Sequence, residues 1–241
     1  MNLGAVAAAR DVCSPRPPWV ALFGKAFALT AQEFPELRRV YLKWPWPHLY
    51  EYPKSVAMFA IDRIHRGEAS VLPCMIKDPA ACRIGDLAQI IRHAKEAPLN
   101  QIKDFRRVLA IAQLPGPVRR LLWWLGFSIG RQRGNYFGTF VVSTVSAFGG
   151  ELIHPIAVAP MFLTFGMIGA DHRCPVRLMF DHRVVDGVPV ARALVRLEAI
   201  LNTAIIEELR TMGAAAAPAP GAEMGPPPHL AKRPAKANAP P

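Results

Sequence analysis

The sequence predicts an α/β fold, a two-layer sandwich in which helices cover a mixed sheet. Three observations carry this. Residues 55–63 and 69–76 are extended runs joined by a short glycine-containing turn, which is a hairpin signature. Residues 19–33, 84–95 and 188–209 place apolar side chains at helical intervals. Residues 137–145 and 176–180 are β-branched or apolar runs bounded by glycine or proline, as strands are. Helices alternating with strands, some of them paired in hairpins, assemble into layers around one core.

The composition agrees. The chain has 241 residues, 51% of them apolar and 20% charged, which is the balance of a globular protein with a sizeable core. Its net charge is +11. Cys13, Cys74, Cys82 and Cys174 are scattered without a CxxC pair, so neither a zinc ribbon nor a disulfide framework is expected and a reducing compartment is the default. No basic segment followed by a clean apolar one opens the chain, and the apolar run at 19–30 is broken by Lys25. A soluble cytoplasmic protein is therefore expected, with membrane association left to one segment described below.

Taken in order, residues 1–17 read as an N-terminal arm. The first amphipathic helix uses Val20, Leu22, Phe23, Phe27 and Leu29, and Pro35 lies just past its end. WPWPHLYEYP at 44–53 reads as a rigid proline-rich loop at a subunit contact. The hairpin turns at His65, Arg66 and Gly67, and Ile84, Leu87, Ala88, Ile90, Ile91 and Ala94 build the second helix. The strand at 137–145 reads FGTFVVSTV, that at 176–180 reads VRLMF, and the last helix carries Ala191, Leu194, Leu197, Ile200, Leu201 and Ile205 on one stripe. One folded domain over 18–212 follows from this pattern. Residues 213–241, mostly Ala, Pro and Gly, cannot bury enough surface to offset chain entropy and are expected to be a disordered tail.

Chemistry concentrates in DHRVVDG at 181–187, between a strand and the last helix. It offers a base, a carboxylate four residues later and a glycine. A free imidazole titrates near ~6.5 and can take and return a proton at neutral pH. Asp186 can order the loop through a buried ion pair, and Gly187 lets the backbone bend. Spacing alone favours a surface loop whose His182 and Asp186 cap the next helix. The remaining histidines occur singly, without HxxxH or HExxH spacing, so no metal is expected. Residues 126–134 contain no GxxxxGK, so no phosphate loop is expected either.

Several collinear segments carry a resemblance. FDHRVVDGVPVARALVRLEAILN at 180–202 strongly resembles the end of the catalytic domain of the 2-oxoacid dehydrogenase acyltransferases, the E2 components. GTFVVSTVSAFGG at 138–150 is similar to that family's GTFT-[IV]-[ST]-N-x-G-x-FG segment, and HPIAVAPMFLTFGMIGA at 154–170 looks like its TPIINPPQ-x-AILG strand. The 55–80 hairpin and EFPELRRVY at 33–41 match upstream segments, so the resemblance spans about residues 18–205 in family order.

The resemblance implies a chloramphenicol acetyltransferase-like fold and a trimer, or an assembly of trimers, with active sites between subunits. It further implies that residues 18–212 are an acyltransferase-like catalytic domain, with coenzyme A or acyl-CoA as substrate. By that analogy His182 is the general base, Ser143 of the neighbouring subunit is the oxyanion donor with Thr144 as the adjacent alternative, and Asp186 keeps the site arranged. Arg183 and Gly187 of the motif are candidate substrate contacts. The chain shows no lipoyl-lysine hairpin and no peripheral-subunit-binding segment, so no covalent lipoyl group is expected; the acyl group would come from a lipoyl-bearing partner or from free acyl-CoA. Val158-Ala159-Pro160 stands where the family has Asn-Pro-Pro.

The main departure is an insertion at about 105–135. Residues 105–150 contain no acid, while Arg106, Arg107, Arg119, Arg120, Arg131 and Arg133 surround Trp123, Trp124 and Phe127. Such a segment suits a membrane surface or a lid over a long acyl chain, and Trp123 and Trp124 become candidate substrate contacts. A plain buried helix with solvated arginines fits the same residues. Basic residues alternating with large apolar ones, without a nucleic-acid fold motif, argue against nucleic acid. The alternative to an enzyme is a non-catalytic trimeric assembly protein that offers this segment to a partner or a membrane.

Overall fold

The computed structural model describes residues 1–146, 149–153, 155 and 158–216. The expected tail beyond residue 216, and His154 with its neighbours at 156 and 157, lie outside the described residues. Five strands form one mixed sheet in the order β4-β3-β5-β6-β7, namely β3 (Val56–His65), β4 (Glu68–Lys77), β5 (Phe140–Ser143), β6 (Met161–Phe165) and β7 (Val176–Phe180). The β3–β4 and β6–β7 pairs are antiparallel, whereas β3–β5 and β5–β6 are parallel. The two-layer α/β sandwich with a mixed sheet is thus the observed architecture.

The predicted hairpin is present and pairs from Val56↔Lys77 to His65↔Glu68. Its turn places Arg66 at φ 54° and Gly67 at φ 83°, the left-handed geometry a two-residue connection requires. Helix α2 (Trp19–Glu33) lies across the sheet. Phe23 stacks on Phe165 at 4.2 Å and Phe27 tilts against Phe140 at 4.6 Å. Gly24, between them, lets the helix approach Phe59 so closely that a Cβ there would come within 2.6 Å of the ring. Helices α3 (Ile84–Glu96) and α7 (Gly187–Ile200) flank α2 in the same layer. A π-helical turn at Leu201–Ile205 leads from α7 into α8 (Ile206–Ala216), so the last helix is longer than the stripe predicts and includes residues 213–216. Lys25, buried at 8% exposure, is satisfied by Glu208 at 2.5 Å and by the Cys82 carbonyl at 2.6 Å. Glu208 also accepts the Ile84 N–H and so caps α3.

Three regions differ from the sequence expectation. The N-terminal arm contains α1 (Gly4–Asp11), which packs on α8, with Leu3 and Val6 fully buried and the Met1 ammonium donating to the Cys174 carbonyl. The proline-rich loop is in part a strand: β1 (Arg39–Leu42) pairs antiparallel with β2 (His48–Glu51). The strand expected from Phe137 begins only at Phe140, because Phe137 ends a helix. The cause is Gly138, at φ 78°, where a Cβ would lie 3.0 Å from the Val56 carbonyl oxygen. Only glycine turns the chain there from helix to strand.

The insertion folds as three helices, α4 (Lys103–Ala112), α5 (Gly116–Ser128) and α6 (Gly130–Phe137). A plain buried helix is ruled out: Leu121, Leu122, Trp123, Trp124 and Leu125 of α5 are all exposed. Helix α6 docks on the β1–β2 hairpin through Gly130 and Gly134, whose missing side chains make room for the rings of Tyr50 and Tyr52.

Candidate active site

The loop 181–186 joins β7 to α7. Asp181 anchors it: its N–H donates to the Pro160 carbonyl at 3.0 Å, and its own carbonyl accepts the Val184 and Val185 amides. Val184 and Val185 are buried in the main core, so the intervening side chains are turned outward. His182 is exposed, with its ring 4.6 Å from that of Phe180.

Arg183 folds back on Asp181. Its guanidinium donates to both carboxylate oxygens, at 2.9 and 2.6 Å, and its backbone N–H adds a third bond at 3.0 Å. The same guanidinium lies 4.6 Å over the Tyr41 ring. Hydrogen bonding from Arg183, with a further contribution from the charge of Arg133, holds the Asp181 carboxyl below its ordinary range. Arg133 reaches this region from α6, donating to the Tyr41 carbonyl at 3.2 Å and to the Val158 carbonyl at 3.3 Å. Burial lowers its guanidinium from the ordinary value. Sequence reasoning missed Tyr41 and Asp181 as supports for the loop. Asp181 was visible in the motif itself, whereas Tyr41 meets it only through tertiary packing.

Asp186 occupies the N-cap position of α7 but makes no side-chain capping bond, and it is exposed. The expected buried ion pair is not formed: among the described residues Asp186 has no salt bridge within this chain, because the residues that sink into the core are the two valines before it. Gly187 does not adopt positive φ, and a Cβ there would meet nothing within 4 Å. The bend is therefore made by the Asp181 turn, and Gly187 instead leaves the approach to its neighbours open.

Ser143 ends β5, opposite Thr164. Thr144, next along, is engaged: its hydroxyl donates to the Phe165 carbonyl at 2.7 Å and accepts the Ser146 N–H at 3.1 Å. Ser143 makes no side-chain hydrogen bond among the described residues, so of the two hydroxyls it is the one open to another partner.

The sheet register separates His182 from Ser143. Phe140, Met161 and Phe180 stand level across the three strands, as do Ser143, Thr164 and Arg177. His182 continues past Phe180 in one direction and Ser143 lies beyond Phe140 in the other. Five residue steps at ~3.3 Å put them about 16 Å apart along the strand direction. One chain does not bring them together.

Trp123 stacks with Phe127 and Phe137, while Trp124 meets Trp44 edge-on at 5.7 Å. Between α4, α5 and α6 lies a groove of about 680 Å³ whose walls include Val108, Leu122, Trp123 and Phe137. Among the described residues no three His, Cys, Asp or Glu side chains cluster as metal ligands do.

No family model matches the chain, and no curated protein matches it. Solved structures do. The cubic core of the pyruvate dehydrogenase multienzyme complex is 20% identical with a TM-score of 0.56, the match covering 83% of this chain and 77% of that one. The dihydrolipoamide acetyltransferase of Azotobacter vinelandii is 18% identical over the same shares, with a TM-score of 0.54. Chloramphenicol acetyltransferase is 15% identical over 83% of this chain and 84% of that one, with a TM-score of 0.50. The chain has the fold of the E2 catalytic cores and of chloramphenicol acetyltransferase. Within this acetyltransferase fold, the loop 181–186 follows the edge strand β7 and the insertion helices stand beside it, linked to it through Arg133, Tyr41 and Arg183.

Proposed function

We propose that the chain is a coenzyme A-dependent acyltransferase whose site is completed between two copies, His182 of one protomer acting as general base and Ser143 of its neighbour as oxyanion donor. One observation supports this above the others. A base and an oxyanion donor must each come within hydrogen-bond reach of one reacting thioester, about 3 Å. His182 stands exposed on a loop locked into the core, yet Ser143 of the same chain lies far along the sheet. A second protomer supplies the missing half, and the resemblance to the E2 cores favours a homotrimer, alone or as the unit of a larger assembly, as the arrangement that does so. The Azotobacter enzyme supports it further, since its structure was solved to define the roles of a serine, a histidine and an asparagine in catalysis, the last two four positions apart as His182 and Asp186 are here.

In the reaction, His182 takes the proton of an acceptor thiol as its sulfur attacks the thioester carbonyl of acyl-CoA. A free thiol has a pKa of about 8.5 and is mostly protonated at neutral pH, so a positioned base accelerates the step. The new C–S bond forms while the carbonyl π electrons move to oxygen, where the Ser143 hydroxyl donates to the oxyanion. Collapse breaks the original C–S bond, and the imidazolium returns its proton to the departing coenzyme A sulfur. Arg183 fixes the loop through Asp181, and Gly187 leaves room for the substrate. The net charge of +11 favours capture of a polyanionic carrier. We also place the protein in the cytoplasm, in line with its four free cysteines; among the described residues no helix is long and apolar enough to cross a membrane.

The test is thiol release from acetyl-CoA and palmitoyl-CoA with dihydrolipoamide as acceptor. His182→Ala is expected to lower kcat by roughly 10²–10⁴ with circular dichroism and oligomeric mass unchanged. Equal turnover in variant and parent removes the proposal.

A further inference from the structure

We infer that the groove between α4, α5 and α6 binds the hydrocarbon chain of a long-chain acyl thioester, with the surrounding arginines facing the phosphates of its carrier. This rests on the acyl-transfer reading above and names its substrate class. The groove has the size of a small-molecule site, about 680 Å³ against ~300–1,000 Å³ for such sites in general. Its walls are apolar, formed by Val108, Ile111, Leu122, Trp123 and Phe137. Trp123 and Phe137 of this lining stack on each other at 5.3 Å, and each also stacks on Phe127, which lies parallel to Phe137 within 3° at 4.5 Å.

Charge selects among occupants. Arg107 lies 4.8 Å over the Tyr136 ring and Arg119 donates to the Ala112 carbonyl, so both are held at the groove without a carboxylate. Among the described residues none of Arg106, Arg107, Arg119, Arg120, Arg131 and Arg133 forms a salt bridge, and residues 105–150 contain no acid to offer one. A two-fold contact of this face with itself would set arginine against arginine. A flat lipid surface would leave the concave interior unfilled. An apolar chain bearing an anionic carrier satisfies both the cavity and its rim.

The groove also lies at the correct end of the sheet. Tyr136 and Phe137 line it, and Arg133 on the same short helix reaches the Tyr41 and Val158 carbonyls. Tyr41 in turn underlies Arg183, the neighbour of His182. Ser143 lies at the opposite end. An acyl chain seated in the groove would thus have its thioester end near the base.

Calorimetric titration of the full chain tests this with palmitoyl-CoA and acetyl-CoA as probes, alongside light scattering and sedimentation with phosphatidylglycerol vesicles. Palmitoyl-CoA is expected to bind at least about tenfold more tightly than acetyl-CoA. Ala112→Trp and Val108→Trp, which fill the groove without changing its charge, should each abolish that preference. Equal affinity for the two thioesters in the parent chain overturns the inference, as does a preference that survives both groove variants. Vesicle binding without palmitoyl-CoA binding reassigns the face to a lipid surface, and loss of oligomer in both variants reassigns it to a second copy; either overturns it too. A groove-dependent preference in a chain that turns over no thioester would keep the groove and remove the chemistry, whereas acetyl-CoA turnover without any preference would do the reverse.

Discussion

Two valines decide how the seven residues DHRVVDG behave. Val184 and Val185 sink into the core and the turn at Asp181 closes behind them, so His182 and Asp186 are driven into solvent on either side. Asp181 is the residue on which this depends, and its carboxyl is depressed chiefly by hydrogen bonding from Arg183. A carboxyl with a folded pKa below its unfolded one stabilises the protein fully above the unfolded value of about 4 and loses that contribution as pH falls through the folded value. Asp181→Asn should therefore lower the thermal midpoint at pH 7 and flatten its fall below pH ~4. The loss is expected to be about 1 kcal/mol, modest because the Arg183 side of the pair is in water. Thermal melts of parent and variant between pH 3 and pH 7, in steps of about half a unit, measure it; parallel curves across that range would contradict the assignment. His182 and Asp186 were legible because base, carboxylate and glycine sit within one contiguous motif. The partners that hold the loop were not, since Tyr41, Arg133 and Pro160 reach it from elsewhere in the chain.

Among the elements, those with a clean period were readable and those without one were not. Helix α2 and the β3–β4 hairpin fall within two residues of expectation: α2 sets its large apolar side chains at helical intervals between Pro18 and Pro35, and the hairpin strands alternate on either side of a glycine turn. Helix α5 gives no such signal: Leu121 to Leu125 are apolar in succession, so no face is marked, and the structure leaves all five exposed. Strand β2 was concealed by the prolines around it, which read as loop although His48–Glu51 pairs with β1. The glycines at 130 and 134, which fail as a phosphate loop, are one helical turn apart and form the seam between α6 and the tyrosines of the hairpin. Gly134→Leu should overfill that seam and destabilise the chain by about 1–3 kcal/mol, read as a lower urea midpoint. Because α6 also carries Arg133 to the elements around the 181–186 loop and Phe137 to the groove, the same change should weaken palmitoyl-CoA binding more than it weakens acetyl-CoA binding. An unaltered urea midpoint would show that the seam tolerates a side chain and that α6 is held by other contacts.

At the scale of the whole molecule, the sheet register makes a statement no single motif makes. Because β5 and β6 run parallel and β7 returns antiparallel, a residue following β7 and a residue ending β5 must occupy opposite ends of the sheet. Sequence resemblance pairs His182 with Ser143; topology requires that such a pair be drawn from two chains. In a closed ring of identical subunits each interface then holds one His182 and one Ser143 from different copies. His182→Ala and Ser143→Ala homo-oligomers should each be inactive or nearly so. When the two variants are unfolded together, mixed in equal amounts and refolded, random assembly leaves both groups intact at about a quarter of the interfaces, wherever a serine variant supplies the histidine and a histidine variant supplies the serine. Turnover of acetyl-CoA should accordingly recover to about a quarter of the parent value. Were both groups used within one chain, no mixture could contain an intact site and activity would stay at the level of the separate variants. Recovery in the mixture is thus the measurement that reads the register of a five-stranded sheet as a property of the assembly.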